Sequence, residues 1–130
     1  MHESHMSLVR RMFEEFTGAG TAELLLAHLT ADAVYRTTAP AGTALDERFV
    51  GPAGVREYFR RAGELLQVDE VRVTDYFESG ERIVVLGTER LALVGSAETS
   101  THDWATVVTF RGPAIAEVCV LEDLSLLKQV

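Results

Sequence analysis

From Ser7 onward, Leu8, Val9, Met12, Phe13 and Phe16 recur at the three- and four-residue spacing of a helix's buried stripe, and Gly18 and Gly20 end the pattern. A short second helix is expected in "TAELLLAHL", capped by Thr21, followed by the brief β-rich segment "ADAVYRT". In "FVGPAGVREYFRRAGELL", Pro52 stands just inside a helix start, and Val55, Tyr58, Phe59, Ala62, Leu65 and Leu66 form its apolar stripe. The pattern then changes from helical to alternating. Val68 to Glu78, Arg82 to Val94, Thr99 to Phe110 and Ala114 to Glu122 are four strands separated by "SG", "GSAE" and "RGP", turn signals that imply consecutive hairpins.

Helices first and strands afterwards predict an α+β fold, a curved antiparallel sheet with helices packed on its concave face. Such a sheet encloses a space that serves as a ligand pocket. Residues 7–124 are expected to form one domain. Residues 1–6, which include His2 and His5, lack apolar periodicity and are expected to lie outside the fold, and residues 125–130 to form a tail.

Composition narrows the function. The chain has 130 residues, 47% of them hydrophobic and 25% charged, enough for one domain with its own core. A net charge of −8 with scattered basic residues and one lysine, Lys128, argues against nucleic acid as a partner, because that affinity needs clustered Lys and Arg. No apolar run is long enough to span a bilayer, and the single Cys119 excludes an internal disulfide framework, so a cytoplasmic protein with no membrane partner is expected. No set of His, Asp or Glu shows metal-ligand spacing on one face, and neither a metal nor another cofactor is expected.

The element order, the helix "GPAGVREYF" and the closing "VVTFRGPAIAEVCVLEDL" resemble the nuclear-transport-factor-2-like superfamily over about Leu8 to Leu124. That superfamily includes SnoaL-like polyketide cyclases, ketosteroid isomerases and limonene-epoxide hydrolases. The resemblance implies a cone-shaped cavity capped by helices, an apolar small-molecule ligand, and a homodimer formed through the outer sheet face. "TERLAL" is similar to the epoxide hydrolase strand that carries a pocket arginine, which falls at Arg90. Tyr35 matches the tyrosine of that site, and Thr37 stands at its asparagine. The two aspartates fall at Ala92 and Val120, so no carboxylate base is inherited. The three ketosteroid isomerase residues fall at Phe13, Thr106 and Thr37 or nearby, and none is retained.

Strand parity supplies the remaining candidates. Thr88, Arg90 and Ala92 share one face, His102, Trp104, Thr106, Val108 and Phe110 another, and Val118, Val120 and Glu122 a third. The resemblance turns all three sets toward the pocket. Arg90 would then hold an anionic ligand oxygen, Tyr35 would donate to an oxyanion, and His102 or Glu122 would move a proton. Phe13, Thr37, Tyr58, Trp104, Thr106, Val118 and Val120 would contact the ligand. The expected activity is a cyclase or isomerase working by proton transfer on an apolar oxygenated molecule, polyketide- or terpenoid-like. The alternatives are an epoxide-opening enzyme or a non-catalytic binding protein.

Overall fold

The computed structural model describes residues 3–130. Among them the order is α1 (His5–Ala19), α2 (Glu23–His28), β1 (Leu29–Thr37), β2 (Phe49–Val50), α3 (Gly51–Leu65), β3 (Leu66–Ser79), β4 (Arg82–Leu93), β5 (Thr99–Arg111) and β6 (Ala114–Leu121), with a terminal 3-10 turn at Ser125–Gln129. The expected α+β architecture is present. The sheet runs β2-β1-β6-β5-β4-β3 and its two outer strands do not meet, so it curls without closing.

β3 to β6 form the expected meander of antiparallel hairpins. β1 is the exception, because it pairs with β6 in parallel. No hairpin joins these two strands, which lie at opposite ends of the chain, so no turn dictates their relative direction. The three helices lie over one face of the sheet. Leu8, Val9 and Met12 of α1 and Val55 and Tyr58 of α3 are buried with Ile83, Val85, Val108, Phe110 and Val118 of the strands.

Both chain ends belong to the fold more than their composition suggests. α1 begins at His5, not Ser7, with the Ser4 hydroxyl accepting from the Ser7 amide as N-cap. The His5 ring stacks on Phe110 at 3.8 Å and its Nε2 reaches the Gly112 carbonyl at 2.8 Å. His2 lies outside the described residues. At the other end, Leu126 and Leu127 of the expected tail are buried, because the 3-10 turn brings both back onto the core.

The start of α2 also differs from expectation. Thr21 does not cap it. The Glu15 carboxylate, one helix earlier, accepts from the Thr21 hydroxyl and from the amides of Glu23 and Leu24. These bonds hold the Glu15 carboxyl below its usual range, the Thr21 hydroxyl contributing most. The cap thereby ties α1 to α2 at the edge of the space beneath them.

Candidate functional site

Between the helices and the concave face of the sheet lies a cavity of about 590 Å³. Its walls are largely apolar and aromatic: Met12, Phe13 and Phe16 from α1, Leu25 and Leu26 from α2, Tyr58 and Phe59 from α3, and Leu91, Trp104, Val108, Val118 and Val120 from the sheet. Phe13 lies parallel to Trp104 with ring centroids 5.5 Å apart. Phe13, Tyr58, Trp104, Thr106, Val118, Val120 and Glu122 line the cavity as the helix stripes and strand parity imply, and Tyr35 lines it as the resemblance implies. Thr37 does not line the cavity, and its hydroxyl accepts from the Ala39 amide at 3.2 Å.

Trp104 fits because of what faces it. Its partner across the β4–β5 ladder is Gly87, and the indole lies where a side chain at Gly87 would be. The indole Nε1 donates to the Thr88 carbonyl at 3.1 Å, which fixes the ring plane.

Arg90 is where the expectation fails. β4 pairs with β5 so that Glu89 faces His102 and Arg90 faces Thr101. Partners directly opposite in a ladder project to the same side, so once His102 and Trp104 point inward, Glu89 and Leu91 must do so too. Arg90 points outward with 45% of its side chain exposed, near Asp69 (4.0 Å) and Glu70 (3.8 Å) on β3. A register shift between Val68 and Glu70 lets two successive acids flank it. Exposed pairs of this kind contribute little. Arg90→Ala is accordingly expected to change stability by less than about 0.5 kcal/mol and to leave ligand binding unaltered. A tenfold weakening of binding in that variant would return Arg90 to the site.

Glu89 takes its place. It is 7% exposed, although parity on β4 gave it the outer face. His102 Nε2 lies 2.6 Å from Glu89 Oε2, and His102 Nδ1 lies 3.3 Å from the Ser100 hydroxyl. Glu122 completes the group, since one ligand atom from each of Glu89, His102 and Glu122 falls within 4.8 Å of the other two. The two carboxyls line the cavity, and His102 stands behind Glu89.

Burial pushes the Glu122 carboxyl up to about 9, and its hydrogen bond to Glu89 and the charge of that group push the same way. Burial also raises Glu89, but there the bond with Glu122 acts in the opposite direction. Both carboxyls are thus shifted in the direction that favours one proton shared by the pair, because two carboxylates this close in an apolar cavity resist ionising together. The absence of converging metal-type ligands expected from spacing is corrected as well. These three side chains could present ligand atoms to a divalent cation, although His102 and Glu89 are bonded to each other.

Two further features hold the group in place. The Thr38 hydroxyl donates to the Glu122 carbonyl at 2.7 Å and accepts from the Glu122 amide at 2.9 Å, anchoring the backbone just beyond β6. Tyr35 and Tyr58 pack with ring centroids 4.4 Å apart. Burial, reinforced by neighbouring acidic groups, raises both phenols far above their ordinary value, so both remain neutral donors.

A SnoaL-like domain model matches residues 9–118, most of the chain. The chain belongs to the SnoaL-like domain family. No curated protein is similar enough in sequence to match it. Among solved structures, an NTF2-like protein of unknown function from Burkholderia pseudomallei is 26% identical, with a TM-score of 0.77 over 95% of this chain and 94% of that one. A protein of ketosteroid isomerase-like fold from Catenulispora acidiphila, in complex with trimethylamine, is 18% identical, with a TM-score of 0.75 over 95% and 91% of the two chains. TerC, co-crystallised with polyporic acid, is 21% identical, with a TM-score of 0.73 over 95% of each chain. At the identity of the last two, the likeness is one of fold. No helix among the described residues of this SnoaL-like chain is long and apolar enough to cross a membrane.

Proposed function

We propose that this SnoaL-like domain is an acid–base catalyst that isomerises or cyclises an apolar, oxygenated small molecule bound in the cavity. The single observation that carries this reading is a carboxyl pair, Glu89 and Glu122, on the wall of an otherwise largely apolar space. A buried carboxyl that keeps its proton near neutral pH is a general acid, and its ionised neighbour is the matching base. Glu122 gives its proton to the ligand, and Glu89 accepts one from another ligand atom. Transfer from Glu89 to Glu122 restores the starting state, so no net proton is consumed. His102 fixes Glu89 and, with Ser100, offers a path for proton exchange. Tyr35 and Tyr58 orient the ligand oxygen, and the walls hold a flexible skeleton in its reactive shape.

Small-molecule binding by two folds of this type, one with trimethylamine and one with polyporic acid, supports the choice of ligand class. The reading is tested by incubating apolar cyclic ketones, epoxides and polyene alcohols with the protein in D2O containing EDTA, and following deuterium uptake and product by NMR. Catalysed uptake that Glu122→Gln removes is expected. Equal uptake with wild type and variant on every substrate removes the reading. An acid beside a base also suits epoxide opening, which would appear in the same experiment as diol or cyclic ether. Outward-facing Phe77 and Leu121, both half exposed, support pairing of two copies through the sheet. A sedimentation mass of one chain would remove that part.

A further inference from the structure

The charge inside the cavity is opposite to the one an inward Arg90 would have supplied. The charged residues that line it, among the described residues, are Glu23, Arg56, Arg60, Glu89 and Glu122. Three of these stand at the mouth with their charges already answered. Arg56 lies 3.6 Å from Glu23, both well exposed, and Arg60 binds Glu57 and Glu64 at 2.7 Å each. The two acids are left as the charged groups of the interior.

Around them much of the wall is aromatic. Phe13 and Trp104 are stacked in one wall, and the Tyr35, Tyr58 and Phe59 rings pack together in another. The face of an aromatic ring carries negative electrostatic potential and attracts cations, most strongly where water is excluded. Carboxylate and ring faces act in the same sense. The chain as a whole carries a net charge of −8, which also favours the approach of cations.

We propose that the cavity selects positive charge: its ligand is an apolar molecule that carries a cationic centre or acquires one on protonation, held between the Glu89–Glu122 pair and the aromatic walls. This rests on the acid–base reading above and specifies it. The reaction is led by protonation and passes through a cation such as an oxocarbenium or iminium ion, not through an enolate. Protonation by Glu122 leaves a carboxylate beside the new positive charge. Loss of a proton from a neighbouring ligand atom then neutralises the cation, and the pair regains its proton, so the step balances without a further reactant. An apolar ammonium ion imitates this cation and binds without reacting.

The test uses one skeleton with three charges. Adamantylamine, adamantanol and adamantane carboxylate are titrated at pH 8 against the fluorescence of Trp104, the single tryptophan of the chain. The amine is expected to bind about tenfold more tightly than the alcohol, and the carboxylate most weakly. The double variant Glu89→Gln/Glu122→Gln, which removes the one negative charge that the pair keeps at this pH, is expected to abolish that preference, and Arg90→Ala to leave it unchanged. Since both substitutions keep the side-chain volume, loss of the preference together with retained alcohol binding excludes simple unfolding as its cause. Equal or tighter binding of the carboxylate overturns the proposal, as does a preference that survives in the double variant, or no saturable response to any of the three. Failure here is separate from failure of the catalytic reading. Proton transfer without amine preference sinks only this inference, whereas amine preference without proton transfer sinks the catalysis and the protonation-led step and leaves the selection of positive charge standing.

Discussion

Glu122→Gln is expected to lower turnover by about 100- to 10,000-fold, the range for loss of a positioned general acid, and at the same time to make the protein more stable at alkaline pH. The folded carboxyl keeps its proton up to about 9, against an ordinary value of 4.5 that applies to the unfolded chain. Between those values the folded state holds the extra proton, so stability falls as pH rises through the window. The contribution is fully present below about pH 4.5 and is lost as pH approaches 9. Glutamine has no proton to lose and can still donate to Glu89. A gain of about 1–2 kcal/mol at pH 8, a few degrees in Tm, is therefore expected. Thermal unfolding of both proteins at pH 5 and pH 8 checks this. The gap should open with pH, and a constant or closing gap would show that Glu122 ionises normally.

Gly87→Ala is expected to be the most damaging single-methyl change on the sheet. A Cβ at this position would lie 2.1 Å from the Arg72 carbonyl oxygen on β3 and 2.4 Å from the Trp104 ring. The first neighbour is backbone and cannot rotate away, and the second is fixed by its bond to Thr88. Overpacking without room to relax costs about 3 kcal/mol. Besides a lowered Tm, the variant should show red-shifted Trp104 emission, as the indole is driven off its strand and out of contact with Phe13. Wild-type stability and emission would mean that the β3–β4–β5 register is different.

The same register explains what was legible beforehand and what was not. The helices and the hairpin meander follow from local periodicity and turn residues, so they could be read from the chain. That Val118, Val120 and Glu122, at and just beyond the end of β6, share a face could be read too, and the resemblance turned that face inward. β4 could not, because "RIVVLGTERLAL" is apolar at both parities: Ile83 and Val85 face the core while Val84 and Leu86 face the other way. Alternation then fails to say whether Glu89 or Arg90 is inside, and the resemblance to a pocket arginine pointed to the wrong one. The deciding signal was across the ladder. His102 and Trp104 find an acid, Glu89, and a glycine, Gly87, opposite them, the one bonding the imidazole and the other leaving room for the indole.

Other features depend on contacts far apart in sequence. Thr38 grips Glu122 across 84 residues, Glu15 caps a helix that begins after Gly20, and His5 rests on Phe110. None of these leaves a local pattern. Ala92 and Val120 carry no carboxylate, but Glu89, three residues before the first, and Glu122, two after the second, bring two carboxyls to one point of the cavity from neighbouring regions of the fold.

The proposed catalysis depends on one proton that Glu122 and Glu89 share at neutral pH. The most direct measurement is a pH titration of 13Cδ-labelled glutamate by NMR, with Glu122→Gln and Glu89→Gln assigning the two resonances. One carboxyl should remain protonated at pH 7 and titrate near 9, and removing Glu89 should bring Glu122 down. Two carboxyls that both ionise in the ordinary range between about 4 and 5 would contradict the claim and leave the cavity without its acid.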